Sequence, residues 1–190
     1  MIRIGILGSI GSGKSYVANN FGYPIFDADY EVARLYKKEK KIFTKLNKIL
    51  PEHIKSFPIE KKEIINAIFA KTNNLKKIIK IVHLEVRKKM NIFLKNNRNK
   101  KFVILDIPLL LENKLNKKGD VLIYVESKKS DILKNLSKRK NFDKKLYKKF
   151  KKIQFSINYK KKKSDFIIKN DFTSKTIKNN IRSVLKKIQK

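Results

Sequence analysis

The sequence contains no cysteine. That excludes a disulfide framework and a thiolate metal site, and it gives no indication of secretion. The first residues show no charged-then-apolar leader, because the chain opens directly into the largely apolar run Ile2–Leu7. No apolar stretch approaches the roughly 20 residues that a membrane-crossing helix needs. Acidic residues are scarce, 16 against 49 lysines and arginines, for a formal net charge of +33. A polyanionic partner such as nucleic acid is one meaning of such a charge. The lysines are spread over the whole chain, however, and no aromatic-rich nucleic-acid motif goes with them. Lysine, asparagine and isoleucine are abundant throughout, as translation of AT-rich coding sequence produces. The charge therefore reads as composition, with a positive field that steers anionic substrates. The guanine-reading pattern Asn-Lys-x-Asp, internal repeats and a domain-splitting linker are absent too. The expectation is one cytoplasmic domain, residues 1–190, monomeric, with no obligate nucleic acid and no membrane.

What is present is Gly8-Ser9-Ile10-Gly11-Ser12-Gly13-Lys14-Ser15, the spacing G-x-x-x-x-G-K-S of a phosphate loop. Its glycines allow positive φ angles, so successive N–H groups can point inward at phosphate oxygens. A helix starting near Lys14 adds partial positive charge at its N-terminus. Lys14 supplies a full charge for the β- and γ-phosphates, and Ser15 a hydroxyl for Mg²⁺. The context is the one the motif requires, a strand-like run before it and a helix-like run after it.

The remaining pattern alternates strands and helices. Apolar runs predict strands at Ile2–Leu7, Tyr23–Phe26, Lys101–Asp106, Asp120–Val125 and Phe166–Ile168. Helical spacing predicts helices over Lys14–Phe21, Tyr30–Lys38, Lys41–Leu50, Glu60–Ala70 and Asn73–Asn96. Later helices are predicted over Ser127–Lys138, with Ile132, Leu133 and Leu136 inward, and over Lys145–Asn158, on the stripe Leu146, Phe150, Ile153, Ile157. A terminal helix is capped by Thr173 or Ser174. Lys140–Lys144 is polar and unperiodic, a candidate mobile segment. The fold expected is α/β, a parallel five-stranded sheet flanked by helices, with a helical insertion over about 36–98. A phosphate site at the carboxyl end of the first strand is where such sheets bind ligands.

Asp27-Ala28-Asp29 closes the second strand. On an extended segment, residues i and i+2 project to one side, so both carboxylates overhang one place. A carboxylate positioning an acceptor hydroxyl and a plain turn are equally open readings of that spacing.

The phosphate loop, the Asp27-Ala28-Asp29 block with Ala33-Arg34 after it, and Asp106-Ile107-Pro108-Leu109-Leu110-Leu111-Glu112 together resemble the dephospho-coenzyme A kinases. So does the tail Gln154, Lys160, Ser164-Asp165-Phe166-Ile167-Ile168-Lys169-Asn170. The resemblance spans essentially the whole chain. It implies a nucleotide-kinase-like phosphate-loop fold with a lid over about 139–158. It also implies transfer of the γ-phosphate of ATP to the 3′-hydroxyl of dephospho-coenzyme A. In that family the loop, Gly11, Ser12, Gly13, Lys14, Ser15 and Tyr16 here, wraps ATP, with Ser15 on Mg²⁺. Asp29 would hold or deprotonate the 3′-hydroxyl, with Asp27 and Arg34 on the acceptor side and Pro108, Leu109, Leu110 and Glu112 lining the acceptor pocket. Asp106 would reach the metal through water. Arg139 matches the lid arginine that meets the transferring phosphate, and Asn170 the asparagine near the adenine.

The sequence departs from the family at several places. Tyr16 stands where a threonine is expected, and the His-Pro pair is His83-Leu84. His83 is thus an acceptor-side candidate by resemblance, while its place beside Val82 favours a packing or capping histidine over a catalyst. Arginines expected near 61, 135 and 150 are Lys61, Asn135 and Phe150. Lysine does not reproduce the planar fork with which arginine grips phosphate.

Overall fold

A computed structural model describes residues 1–71, 73–138 and 142–189. Among them the chain divides into two compact units, residues 1–27 with 97–190, and residues 28–96.

The first unit holds the sheet. Its strands are β1 (Ile2–Gly8), β2 (Ile25–Asp27), β3 (Phe102–Asp106), β4 (Val121–Glu126) and β5 (Phe166–Lys169). All neighbours run parallel, in the order β2-β3-β1-β4-β5. Helices α1 (Lys14–Asn19) and α9 (Ser174–Ile188) belong to this unit. Val17 and Ala18 of α1 and Ile177, Ile181 and Val184 of α9 share one apolar cluster with Ile4, Ile6, Phe102, Ile104, Ile123, Val125 and Ile168. Parallel strands covered by helices need apolar residues on both faces, which is why β3 is buried at every position. Burying one such side chain completely is worth about 1.5–3 kcal/mol.

β1 lies in the middle of the sheet. The chain leaves it toward β2, returns through β3 and then crosses to β4 on the other side. The carboxyl end of β1 is therefore the switch point of the topology, where open α/β sheets offer a crevice. Within β1, Gly5 is needed for space: a Cβ there would come within 2.5 Å of Leu110 Cδ2 and 2.9 Å of Leu122 Cδ2.

Two local expectations are corrected. The single helix expected over Lys145–Asn158 is two, α7 (Lys144–Ile153) and α8 (Ile157–Lys162). The break at residues 154–156 is held from outside: Phe155 N–H donates to Glu112 Oε1 at 2.8 Å, and Ser156 Oγ starts a new helix by accepting from Tyr159 N–H at 3.2 Å. In α6 (Lys129–Ser137), which leaves Ser127 outside it, Leu136 is buried but Leu133 is 54 % exposed. Of the segment expected to be mobile, residues 140 and 141 lie outside the described residues. Asp143 caps α7 by accepting from Lys145 and Leu146 N–H, and α7 itself buries no residue fully.

The second unit is helical throughout: α2 (Ala28–Lys38), α3 (Lys40–Ile49), α4 (Lys61–Ala70) and α5 (Asn74–Asn96). α5 is its axis, burying Leu75, Ile78, Val82, Val86 and Met90 at helical spacing. No helix among the described residues is long and apolar enough to cross a membrane.

Candidate active site

The phosphate loop runs from the end of β1 into α1. Gly13 stands at the N-cap with φ 82° and ψ 27°, a left-handed conformation suited to glycine. A Cβ on it would fall 2.3 Å from Asn170 Nδ2 and 2.8 Å from the Phe172 ring. The Lys14 ammonium curls over the loop and donates to Ser9 O at 2.9 Å and Gly8 O at 3.4 Å. Ser15 and Tyr16 are solvent-exposed on the first turn of α1.

Beside the loop, the sheet edge presents two carboxylates. Asp27 and Asp106 are register partners at the ends of β2 and β3. Asp106 is 5 % exposed. Burial pushes its pKa up, and the neighbouring Asp27 charge adds to that; the Ser15 hydroxyl bond and the Lys14 charge pull the other way without cancelling the rise. Asp106 Oδ1 is buried without a hydrogen-bond partner. A hydroxyl and a carboxylate with an unspent oxygen form a hard-oxygen donor set, which suits Mg²⁺ bound mainly through substrate phosphates.

Asn170, just past β5, is 3 % exposed, with Nδ2 donating to Ser12 O at 2.9 Å. Its amide thus touches the phosphate loop itself. Pro108 and Leu109 are half-buried in the turn after β3, while Leu110 is sealed against Gly5. Glu112 Oε1 takes both Phe155 N–H and Lys160 Nζ, the latter at 2.9 Å. Gln154 Nε2 reaches Pro108 O at 3.5 Å.

The helical unit carries the other candidates. Asp29 lies in the first turn of α2, because the helix starts at the residue after Asp27. The extended i, i+2 geometry expected for the two aspartates is therefore not formed. The half-exposed Arg34 pairs with Glu31 at 3.0 Å and lies over the Tyr30 ring. His83 is half-buried on α5; burial, then the Arg87 charge, pushes its pKa below the usual histidine value. Arg139 lies outside the described residues.

Two contributors, Ser127 and Lys161, were not singled out from sequence, and Lys160 entered only as part of the tail resemblance. Ser127 follows β4 and its Oγ donates to Ser12 O at 2.9 Å. Lys160 is buried against Glu112. Lys161, the next residue, pairs with Glu126 at the end of β4. The tail resemblance touched Lys160, but a serine after a strand and one lysine among many carry no separate signal.

Backbone amides, an ammonium and two carboxylates around one strand-edge crevice can bind a polyphosphate and a hard cation together. The family model described as dephospho-CoA kinase matches residues 2–176. The chain belongs to the dephospho-CoA kinase family. The dephospho-CoA kinase of Wolbachia sp. subsp. Brugia malayi is 30 % identical over 187 residues, covering 96 % of this chain and 95 % of that protein. Two solved structures share the fold at 24 % identity. TT1252 from Thermus thermophilus has a TM-score of 0.76, covering 98 % of this chain and 97 % of that one. The dephospho-CoA kinase from Campylobacter jejuni has a TM-score of 0.64, covering 98 % and 96 %. As a member of this kinase family, the chain uses ATP as phosphoryl donor.

Proposed function

We propose that this kinase transfers the γ-phosphoryl group of ATP to the 3′-hydroxyl of dephospho-CoA, releasing CoA and ADP as the final step of CoA synthesis. The family match over residues 2–176 carries the reading. In the reaction the 3′-oxygen forms a bond to the γ-phosphorus as the bond from that phosphorus to the β–γ bridging oxygen breaks. The hydroxyl proton passes to a carboxylate, and ADP leaves.

Little covalent work falls to the protein in such a transfer; positioning and charge compensation do most of it. The amides of Gly11 to Tyr16 would surround the phosphates, and Lys14 would exchange its loop carbonyls for the β- and γ-oxygens. Ser15 and Asp106 would hold Mg²⁺, whose chemistry there is to neutralise charge on the phosphate oxygens. Asp29 would take the acceptor proton. Asp27, Arg34, His83, Pro108, Leu109, Leu110 and Glu112 would shape the acceptor side, Asn170 the nucleotide side, and Arg139 would meet the transferring group. Residues 139–158 would act as the lid and the helices of residues 36–98 as the acceptor-binding region, in a cytoplasmic monomer.

Incubation with Mg-ATP and a panel of acceptors tests this. CoA should form from dephospho-CoA, with nucleosides, nucleoside monophosphates and shikimate left unmodified. Phosphorylation of a nucleotide with dephospho-CoA untouched would overturn the assignment.

A further inference from the structure

The carbonyl oxygen of Ser12 accepts two hydrogen bonds, Asn170 Nδ2 at 2.9 Å and Ser127 Oγ at 2.9 Å. A carbonyl has two lone pairs, and both are used. The donors stand just past two neighbouring strands, Ser127 after β4 and Asn170 after β5. The amide of Asn170 has a fixed sense: Oδ1 accepts Phe172 N–H at 2.8 Å, so Nδ2 is the end that faces Ser12. Its own backbone N–H is tied to Glu126 O at 2.7 Å. The anchor is therefore rigid on the sheet side.

The consequence passes through one peptide. The Ser12–Gly13 bond is trans, as is every described peptide bond except Phe57–Pro58. In a planar trans peptide the C=O and N–H point in opposite directions. Pinning the oxygen toward the ends of β4 and β5 turns the Gly13 N–H to the opposite side of that peptide, away from them. The pin has a reason. Flipping this peptide changes mainly ψ of Ser12 and φ of Gly13, and glycine accepts either sign of φ at little cost. The residue that permits the loop conformation thus leaves its own amide loosely aimed.

We propose that Ser127 and Asn170 are positioning residues for phosphoryl transfer, acting through the Ser12 carbonyl to aim the Gly13 amide at the phosphates of ATP. The proposal rests on the reading that this loop grips ATP. Donors already aligned need no reorganisation when the anion arrives.

Ser127 gives the cleaner test. Wild type, Ser127→Ala and Ser127→Thr are compared by calorimetric titration with ATP, by steady-state kinetics and by the ¹⁵N–¹H resonance of Gly13. In Ser127→Ala, ATP affinity should fall roughly three- to tenfold, the worth of one hydrogen bond. The Gly13 resonance should move, and KM for dephospho-CoA should stay put. Ser127→Thr, which restores the hydroxyl, should recover ATP affinity. Wild-type ATP affinity with an unmoved Gly13 resonance in Ser127→Ala overturns the proposal. So does a loss that threonine fails to repair, or one that raises both KM values alike. A wild-type protein that binds no ATP overturns the underlying reading instead, and needs no variant to be seen.

Discussion

Lys160 Nζ lies 2.9 Å from Glu112 Oε1, and the two side chains are only 4 % and 8 % exposed. The same oxygen holds Phe155 N–H at the break between α7 and α8. A buried pair of this kind gains little against an apolar replacement, but removing one partner strands the other charge. Lys160→Met should therefore destabilise the protein by about 3–5 kcal/mol, read from urea denaturation. The double variant Glu112→Leu/Lys160→Met should recover part of that loss. A single variant as stable as wild type would show that the pair is not closed in solution.

Glu63 should set part of the acid sensitivity of the helical unit. Burial pushes its pKa up, but bonds from Lys55 N–H, Ser56 Oγ, Glu60 N–H and Ser56 N–H outweigh that and hold it below the ordinary glutamate value. Between the folded and unfolded pKa values the unfolded chain binds more protons, so stability rises with pH across that window. The contribution is complete above the unfolded value of about 4.3 and is lost as pH falls through the lower folded value. Glu63→Gln should be less stable at neutral pH and show a flatter acid limb in melts between pH 3 and 7.

Lys14→Ala should abolish turnover while leaving the circular dichroism spectrum intact. The ammonium donates to the loop carbonyls of Gly8 and Ser9 and has no part in the apolar cluster, so its removal should spare the core. Uncompensated charge on the γ-phosphate then blocks transfer. Measurable turnover near the wild-type rate would contradict the role given to Lys14.

Asp29→Asn should lower kcat by roughly two orders of magnitude, the worth of a positioned base. ATP binding should be unchanged, because the phosphate loop is untouched. Single-turnover kinetics with titration calorimetry separates the two quantities. A fully active variant would remove Asp29 from the reaction.

The sheet and the phosphate loop were legible because their signals are local. Strands buried on both faces are apolar without alternation, and Phe102–Leu105 could be little else. The glycines and Lys14 carry their chemistry in their spacing. The α7–α8 break was hidden because the apolar stripe Leu146, Phe150, Ile153, Ile157 keeps helical period straight across it. What breaks the helix is Glu112, 43 residues away from Phe155 in sequence. The start of α2 directly after Asp27 was equally unmarked, since no glycine or proline separates strand from helix. Ser127 acts through a partner 115 residues distant, and no local pattern announces such a contact.

α7 has a further consequence through what it leaves out of the core. All ten of its residues remain at least partly open to water, and its start rests on the Asp143 cap. The free energy needed to melt it alone is correspondingly small, far below that of α9, which is fastened by Ile177, Ile181 and Val184. Amide deuterium uptake over residues 144–153 should thus run ahead of uptake over residues 174–188, with the strands lagging behind both. Thermal agitation alone would open and reseat this segment many times for each global unfolding.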